Sequence, residues 1–533
     1  MAMLFVIELQ IWAGLKTYGG SNWDQLWGAD FNAPGNNIVS NLFSMTYKID
    51  NSTGADFVVI VSTQSGTPVW ERIVGRSNMN EWSYKITYDN AGNPIIGGAS
   101  CVPANNSPSS CQLSTSNRAF AIKLSGTNGA FLSARDLASS WGSSNWIRIM
   151  SINPTSDGGF VVAGDIYYDS WAGDIDGFVA KFDVSMNLQW SRIFGTSGSE
   201  WLTTAFQTTD GNIVVIGTPF NEIFIAKLNV SNGNIIWQKR YPRTYYDSGN
   251  GKYFTWGKPS SDGGIILADE ISGGTNRDVL FVKFNSSGDF VCARRIGGPG
   301  NDVGIDVVEG ANYYYLAGLW NGSDLFYARF NKTDCSLVGS VRYILSSGDE
   351  SARAIDIRPT SGIPYIAGYT NRPGWTAGNY DGLLAADSSL QDTCYWRSLT
   401  PSTNVSVSLS ASGSWTDYGS TGINVSSVTY SAISVNTSKT IACGLLTPVS
   451  NDEKYEDCYV SIAKDGSFLT IKSKDRQDIK LIIYSSDGKV VYRNEFRNVE
   501  GVLNEKIKLN SGIYIVKVNY KKGEIKNKFI IKD

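Results

Sequence analysis

The chain has 533 residues, with 12% aromatics, 55 glycines, 18% charged residues and a net charge of −3, a turn-rich globular composition that leans towards β structure. A pI near 5.4 leaves no basic stripe to neutralise phosphates, which argues against nucleic acid and against an anionic membrane surface as partners. Histidine is absent, whereas ordinary usage of about 2% would supply roughly ten, so Ser-His-Asp and Cys-His nucleophiles, histidine-ligated metals and haem, and histidine general bases are excluded.

Met1–Leu9 is apolar, carries Glu8, lacks a basic leader and runs into IWAGLKTYGG; it is expected to be a strand of a mature protein whose export signal is gone. No stretch approaches the roughly 18 to 20 apolar residues of a membrane span. Beyond it, one unit of four short strand-like runs recurs at a period of about 45 to 60 residues. The clearest copy is SDGGFVVAG, DGFVAKFD and NLQWSRIFG, from Ser156 to Gly195. The next two read TDGNIVVIG, IFIAKLN, NIIWQKRY and then SDGGIILAD, DVLFVKFN, DFVCARRIGG. Fainter copies lie upstream at DFVVIVS with PVWERIVG and NPIIGGAS with AFAIKLS, and downstream at YYYLAG with DLFYARFN and PYIAGY with DGLLAAD.

Asp-Gly and Gly-Gly between β-branched runs form tight hairpin turns, where glycine supplies the positive φ. A four-stranded meander cannot bury both faces alone, so such units stack radially. Seven units are expected between Ser21 and Pro401. The segment LFVIELQIWAGLKTYGG aligns with the third and fourth strands of a unit, so residues 1–20 are expected to be an orphan strand pair. Two closures follow from it. Either strand-like runs within 404–445 supply the missing half of an eighth, composite blade, or the orphan pair completes a neighbouring molecule by strand addition. The expected fold is all-β: a seven- or eight-bladed β-propeller of four-stranded blades over 1–446, then a small antiparallel β-sandwich over 447–533.

The run W…TYGG…DGG(F/I)VVAG…D(G/V)F(V/I)AK(F/L)…W resembles the SBBP-type β-propeller repeats of secreted bacterial and archaeal proteins, a resemblance that implies the fold and is nearly silent on function. After Thr447 charged residues become denser, lysine dominates and tryptophan disappears, the mark of a different domain. Its runs IIYSSDGKVVY, LNSGIYIVKV and KNKFIIKD are similar to the C-terminal sorting domain of type IX secretion cargo, although the Pro-Asn-Pro opening usual in that family is missing. The resemblance implies export and contact with the secretion machinery; a retained structural sandwich of the same shape is the other reading.

Trp70, Trp190, Trp237 and Trp396 recur at the fourth-strand position, as Trp12 does in the orphan pair, and repetition favours packing over glycan stacking. The unrepeated Trp146, Trp171, Trp201, Trp256, Trp320 and Trp375 are the ligand-binding candidates, because loops carry variation. Asp169, Asp174 and Asp176 lie close enough in sequence to suggest calcium, although Asp278, Asp324 and Asp381 recur before the third strand and favour a turn role for Asp176; no other cofactor is expected. Disulfides are expected for Cys101 with Cys111, Cys292 with Cys335 and Cys394 with Cys443, leaving Cys458 over. Sequons at Asn51, Asn105, Asn229, Asn285, Asn321, Asn331, Asn404, Asn424 and Asn436 are possible glycan sites. The expected function is display and binding outside the cell, to extracellular proteins, glycans or other copies of the chain, with a filament subunit as a variant. The alternative is a polysaccharide hydrolase or lyase with carboxylates in the propeller channel, which an unrepeated Asp/Glu/Tyr cluster at the channel mouth would favour.

Overall fold

The structure is a computed structural model. It describes residues 15–19, 26–30, 36–41, 56–63, 68–102, 118–139, 146–167, 175–196, 198–217, 221–243, 256–343, 350–357, 364–371, 381–386, 396–399, 401, 403–411, 416–417, 423–427, 431–434, 438–441, 458–462, 468–485, 489–506, 512–520 and 523–531. Two compact units divide the chain, one of residues 1–390 with 397–440 and one of 391–396 with 441–533.

The first unit is a propeller of seven antiparallel sheets. Blade 1 comprises β2 (Leu26–Asp30), β3 (Asn36–Asn41), β4 (Phe57–Thr63) and β5 (Pro68–Gly75). Blade 2 comprises β6 (Asn80–Tyr88), β7 (Pro94–Cys101), β8 (Arg118–Leu124) and β9 (Phe131–Ser139). Blade 3 holds β10 (Trp146–Pro154), β11 (Phe160–Tyr167), β12 (Ile175–Phe182) and β13 (Leu188–Gly195). Blade 4 holds β14 (Leu202–Gln207), β15 (Ile213–Gly217), β16 (Glu222–Leu228) and β17 (Ile235–Pro242). Blade 5 is β18 (Gly257–Pro259), β19 (Ile265–Ser272), β20 (Arg277–Phe284) and β21 (Phe290–Gly297). Blade 6 is β22 (Val303–Glu309), β23 (Tyr313–Trp320), β24 (Asp324–Asn331) and β25 (Leu337–Tyr343). Blade 7 has three strands in sequence, β26 (Glu350–Ile357), β27 (Pro364–Thr370) and β28 (Asp381–Ala386), and takes its fourth from the start of the chain, β1 (Leu15–Gly19).

The blades follow from the repeat. At Thr155–Gly159 the Thr155 amide donates to the Gly159 carbonyl at 2.9 Å, the Gly158 amide returns to Thr155 at 3.0 Å, and Gly158 takes φ 83°. Asp157 Oδ1 accepts the Gly159 amide at 3.0 Å, so Asp157, Gly158 and Gly159 each have a task in the turn. The second and third strands are largely buried because neighbouring blades cover both faces: β15 and β20 are buried at every position.

The eighth-blade expectation is corrected. Blade 7 lacks only one strand of its own, so β1 suffices to close it, and the pairing lies within the chain, Leu15 opposite Ala385 through Tyr18 opposite Gly382. The 396–441 stretch instead forms a belt on the outer edges. β29 (Trp396–Leu399) adds to blade 6, β30 (Thr403–Val407) to blade 5 and β31 (Thr416–Asp417) to blade 3. β32 (Ile423–Ser427) then adds to blade 2, β33 (Ser431–Ser434) to blade 1, and β34 (Ser438–Ile441) to β1 in blade 7. Trp396 is therefore not the fourth-strand tryptophan of blade 7. The belt counts backwards through the blades, and between β30 and β31 it passes blade 4, where Leu409, 8% exposed, joins the core shared with Tyr241 and Trp237.

The second unit is one antiparallel sheet built on a long hairpin, β36 (Phe468–Ser485) with β37 (Val490–Lys506). The other edge of β36 takes β35 (Cys458–Ile462) and then β38 (Gly512–Tyr520), which pairs with β39 (Gly523–Ile531). Ile479, Leu481, Ile482 and Ile483 are buried while Asp478 and Lys480 are exposed, so the apolar and charged residues alternate over 478–481 and Ile482 breaks the alternation.

Candidate functional site

The repeated residues hold the blades together. The lysine of AK(F/L) reaches the turn aspartate of its own blade: Lys123 to Asp89 at 3.1 Å, Lys181 to Asp157 and Lys227 to Asp210 at 2.8 Å, and Lys283 to Asp262 at 2.7 Å. These lysines are buried and their aspartates are held below the usual carboxylate range: burial pushes up, and hydrogen bonds from lysine and turn amides outweigh it. Fourth-strand tryptophans fasten one blade to the next, Trp70 Nε1 donating to Gly126 O at 3.0 Å and Trp190 Nε1 to Val230 O at 2.7 Å. A Cβ on Gly129 or Gly233 would lie 2.7 or 2.6 Å from those rings, and both glycines have positive φ, so no other residue fits.

The residues that do not repeat face the propeller axis. A cavity of about 750 Å³ is lined by the first strands of all seven blades. In six of them a register shift falls at one place, between Leu26 and Gly28, Ser83 and Lys85, Ile149 and Ser151, Leu202 and Thr204, Gly304 and Asp306, and Ala352 and Ala354. In blade 5 the Trp256 carbonyl accepts the Ala268 amide at the corresponding place. Bulges of this kind align the strands, so Gly28, Lys85, Ser151, Thr204, Trp256, Asp306 and Ala354 share one level. Two residues on lie Asp30, Thr87, Asn153, Phe206, Lys258, Val308 and Asp356.

The charges gather on one arc: Lys258, Asp306, Asp356, Asp30 and Lys85, from blades 5, 6, 7, 1 and 2 in succession. Blades 3 and 4 present Ser151, Asn153 and Thr204 to the cavity. Lys85 crosses the axis to Asp306 at 3.1 Å and lies 4.2 Å over the Trp256 ring. Burial holds its ammonium below the usual lysine value, Asp306 works against this, and Lys258 adds to it. Lys258 Nζ donates to Ile355 O at 2.6 Å and stands 3.9 Å from both Asp306 Oδ2 and Asp356 Oδ1. Burial opposes its charge, but Asp306, Asp356 and Asp30 together hold it above the usual value. Backbone amides fix the acids: Ile355 and Val307 donate to Asp306 at 3.2 and 2.9 Å, and Ile357 to Asp356 at 2.8 Å. Thr87 donates to Asp30 at 2.8 Å. Trp256 also belongs to a buried cluster with the bulge residues Tyr84, Met150 and Ile305.

Of the tryptophan candidates among the described residues, only Trp256 is part of the cavity wall. Trp320 is not on a loop but ends β23, 2% exposed, and packs edge-on to Phe326 with ring centroids 5.5 Å apart; its faces are used by the core. Trp146 opens β10, and Trp201 is half-buried before β14. Trp171, Trp375, Asp169 and Asp174 lie outside the described residues. Asp176 is buried beside Gly195, as Asp56 is beside Gly75 and Asp278 beside Gly297, which makes it one of a repeated set. No cluster of three metal-ligating acids or cysteines occurs among the described residues.

Cys292 is bonded to Cys335, joining blades 5 and 6, and Cys101 is disulfide-bonded; Cys111, Cys394 and Cys443 lie outside the described residues. Asn229, Asn285 and Asn331 shape the turns before the fourth strands, each side-chain oxygen accepting a backbone amide two residues on. Asn321 is an exposed turn residue at φ 51°. Asn404 and Asn424 lie in β30 and β32 of the belt, and Asn51, Asn105 and Asn436 lie outside the described residues. The charged arc was not among the sequence candidates. Counting residues back from each first turn would have aligned Lys85 with Asp306 and exposed the mismatch.

The family described as "Secretion system C-terminal sorting domain" matches residues 465–532. No curated protein matches the chain. Among solved structures, the dihydro-heme d1 dehydrogenase NirN in complex with DHE matches at 10% identity, covering 92% of this chain and 75% of that one, with a TM-score of 0.34. Sqt1 from Chaetomium thermophilum matches at 12% identity over 70% and 98%, with a TM-score of 0.37. The Dos1 propeller matches at 9% over 70% and 95%, with a TM-score of 0.34. Likeness at this level carries no functional argument, and the seven sheets themselves define the propeller. No helix among the described residues is long and apolar enough to cross a membrane. Residues 465–532 are thus a type IX secretion sorting domain, and the chain is that of a secreted or cell-surface β-propeller protein.

Proposed function

We propose that the protein is an extracellular binding protein whose recognition site is the axial cavity, with the sorting domain engaging the type IX machinery for export. One observation carries the reading: at register-equivalent positions of the first strands the blades hold different chemical groups, whereas the latch and tryptophan positions repeat. Packing alone favours the same solution in each blade, so a charged arc on five blades and neutral groups on two serve something other than the fold.

A thermal-unfolding screen of the full chain tests this, using neutral sugars, uronates, diamines and amino acids as small solutes. A ligand of the cavity raises the unfolding temperature, by an amount equivalent to about 2.7 kcal/mol at a hundredfold excess over Kd, and loses its effect in Lys258→Met. If no solute shifts the wild type, the axial site is not a recognition site. A second reading, a carbohydrate-cleaving enzyme, is favoured by the convergence of Asp30, Asp306 and Asp356 from adjacent blades. Release of reducing ends from a bound oligosaccharide would decide for it.

A further inference from the structure

We infer that the axial site recognises a vicinal diol of a neutral saccharide, with Lys258 and Asp356 gripping one hydroxyl between them; this rests on the axial cavity being the recognition site. Charge is the first discriminator. Asp30, Asp306 and Asp356 outnumber Lys85 and Lys258 on the cavity arc, so the wall repels carboxylates and sulfates. Lys85 cannot reverse this, because it is bonded to Asp306 and covered by the Trp256 ring.

Lys258 differs from Lys85. Its ammonium has three N–H donors, and among the described residues one hydrogen bond goes to Ile355 O at 2.6 Å. Its nearest carboxylate oxygens, on Asp306 and Asp356, stand at 3.9 Å, beyond the reach of a hydrogen bond. A separation of 3.9 Å is too long for direct contact and suits one bridging oxygen. With two hydrogen bonds of about 2.8 Å each, the angle at that oxygen is about 90°, which an sp³ hydroxyl accommodates. The group must accept from Lys258 and donate to Asp356, and a hydroxyl does both, whereas a carboxylate only accepts and an ammonium only donates. The third Lys258 N–H then meets the neighbouring oxygen of a vicinal diol. The volume of about 750 Å³ lies within the range of about 300–1,000 Å³ typical of small-ligand sites.

Isothermal titration of the full chain tests the inference with four probes: a neutral gluco-oligosaccharide, its fully O-methylated form, an oligogalacturonate and putrescine. The expected result is binding of the neutral sugar alone, weakened about tenfold or more by Asp356→Asn and by Lys258→Met, with Lys258→Arg retaining part of it. Unchanged unfolding temperatures of the variants establish that the loss is local. Equal binding of the O-methylated sugar would overturn the inference, since it lacks the donor. Binding of putrescine or the galacturonate in place of the neutral sugar would leave an axial binding site standing and overturn the diol. Silence from all four probes, with no shift in the wider thermal screen, would remove both readings.

Discussion

Lys181 is wholly buried and its partner Asp157, 2.8 Å away, is half exposed, so the two ends of this ion pair stand in different solvents. Removing the aspartate strands a cation in the blade interior; removing the lysine leaves a carboxylate that water can serve. Asp157→Ala is therefore expected to cost about 3 kcal/mol and Lys181→Met only about 1 kcal/mol. Urea unfolding of the two variants checks the asymmetry, and equal losses would contradict it.

The same latches set the acid limit of the fold. Asp157 is held down to about 2: burial pushes up, but Lys181, Thr155 and the Gly159 amide prevail, and Asp89, Asp210 and Asp262 are shifted in the same direction. A carboxylate with a depressed folded value adds stability above its unfolded value, and that stability is lost as pH falls through the folded one. Stability should therefore drop as pH falls from about 4 towards 2, with a shallower slope in Asp157→Asn, read from denaturant midpoints at stepped pH.

Asp302 shifts the opposite way. Burial raises its carboxyl to about 7 although the Asn321 and Gly298 amides donate to it. A group that binds its proton more tightly when folded gives stability that declines as pH rises between the unfolded and folded values. The wild type should lose stability between about pH 4 and 7 through this residue, and Asp302→Asn should remove that component. A slope unchanged in the variant would contradict the assignment.

Asp306 neutralises Lys85 at the axis. Asp306→Asn leaves Lys85 buried without its carboxylate, at an expected loss of about 3 kcal/mol at neutral pH. Raising the pH towards the unfolded lysine value should restore part of it, because the folded state then binds fewer protons than the unfolded one. Adding Lys85→Met should recover most of the loss, and a double-mutant cycle measures the coupling.

The Cys292–Cys335 bond closes a loop of sequence separation 43 and ties blade 5 to blade 6. Replacing both cysteines with serine should lower stability by about 2–4 kcal/mol. Urea midpoints under oxidising conditions give the difference.

Strand positions and hairpin turns were legible in the sequence because each rests on local chemistry: Asp157-Gly158 makes a turn wherever it occurs between apolar runs. The repeat also made Trp190 readable as packing. What escaped was non-local. Nothing in KTIACGL announces that Ser438–Ile441 pairs with β1 rather than building an eighth blade, since edge addition uses backbone groups that every residue has. Lys258 and Asp356 are 98 residues apart, and only the ring closure brings their side chains to one wall. Trp256 was picked out as unrepeated, but the position that makes it part of that wall follows from the bulge register.

The belt makes completeness a property of the last stretch of the propeller unit. Between Trp396 and Ile441 the outer edges of blades 6, 5, 3, 2 and 1 are covered in turn, and the closing strand β1 gains its second neighbour last. Bare edges recruit other chains. A polypeptide cut short before Ile441 therefore lacks at least the last strand of its rim and, because residues 465–532 follow it, lacks the export address as well. In this order every chain long enough to carry the label for departure also carries the strands that seal its blades.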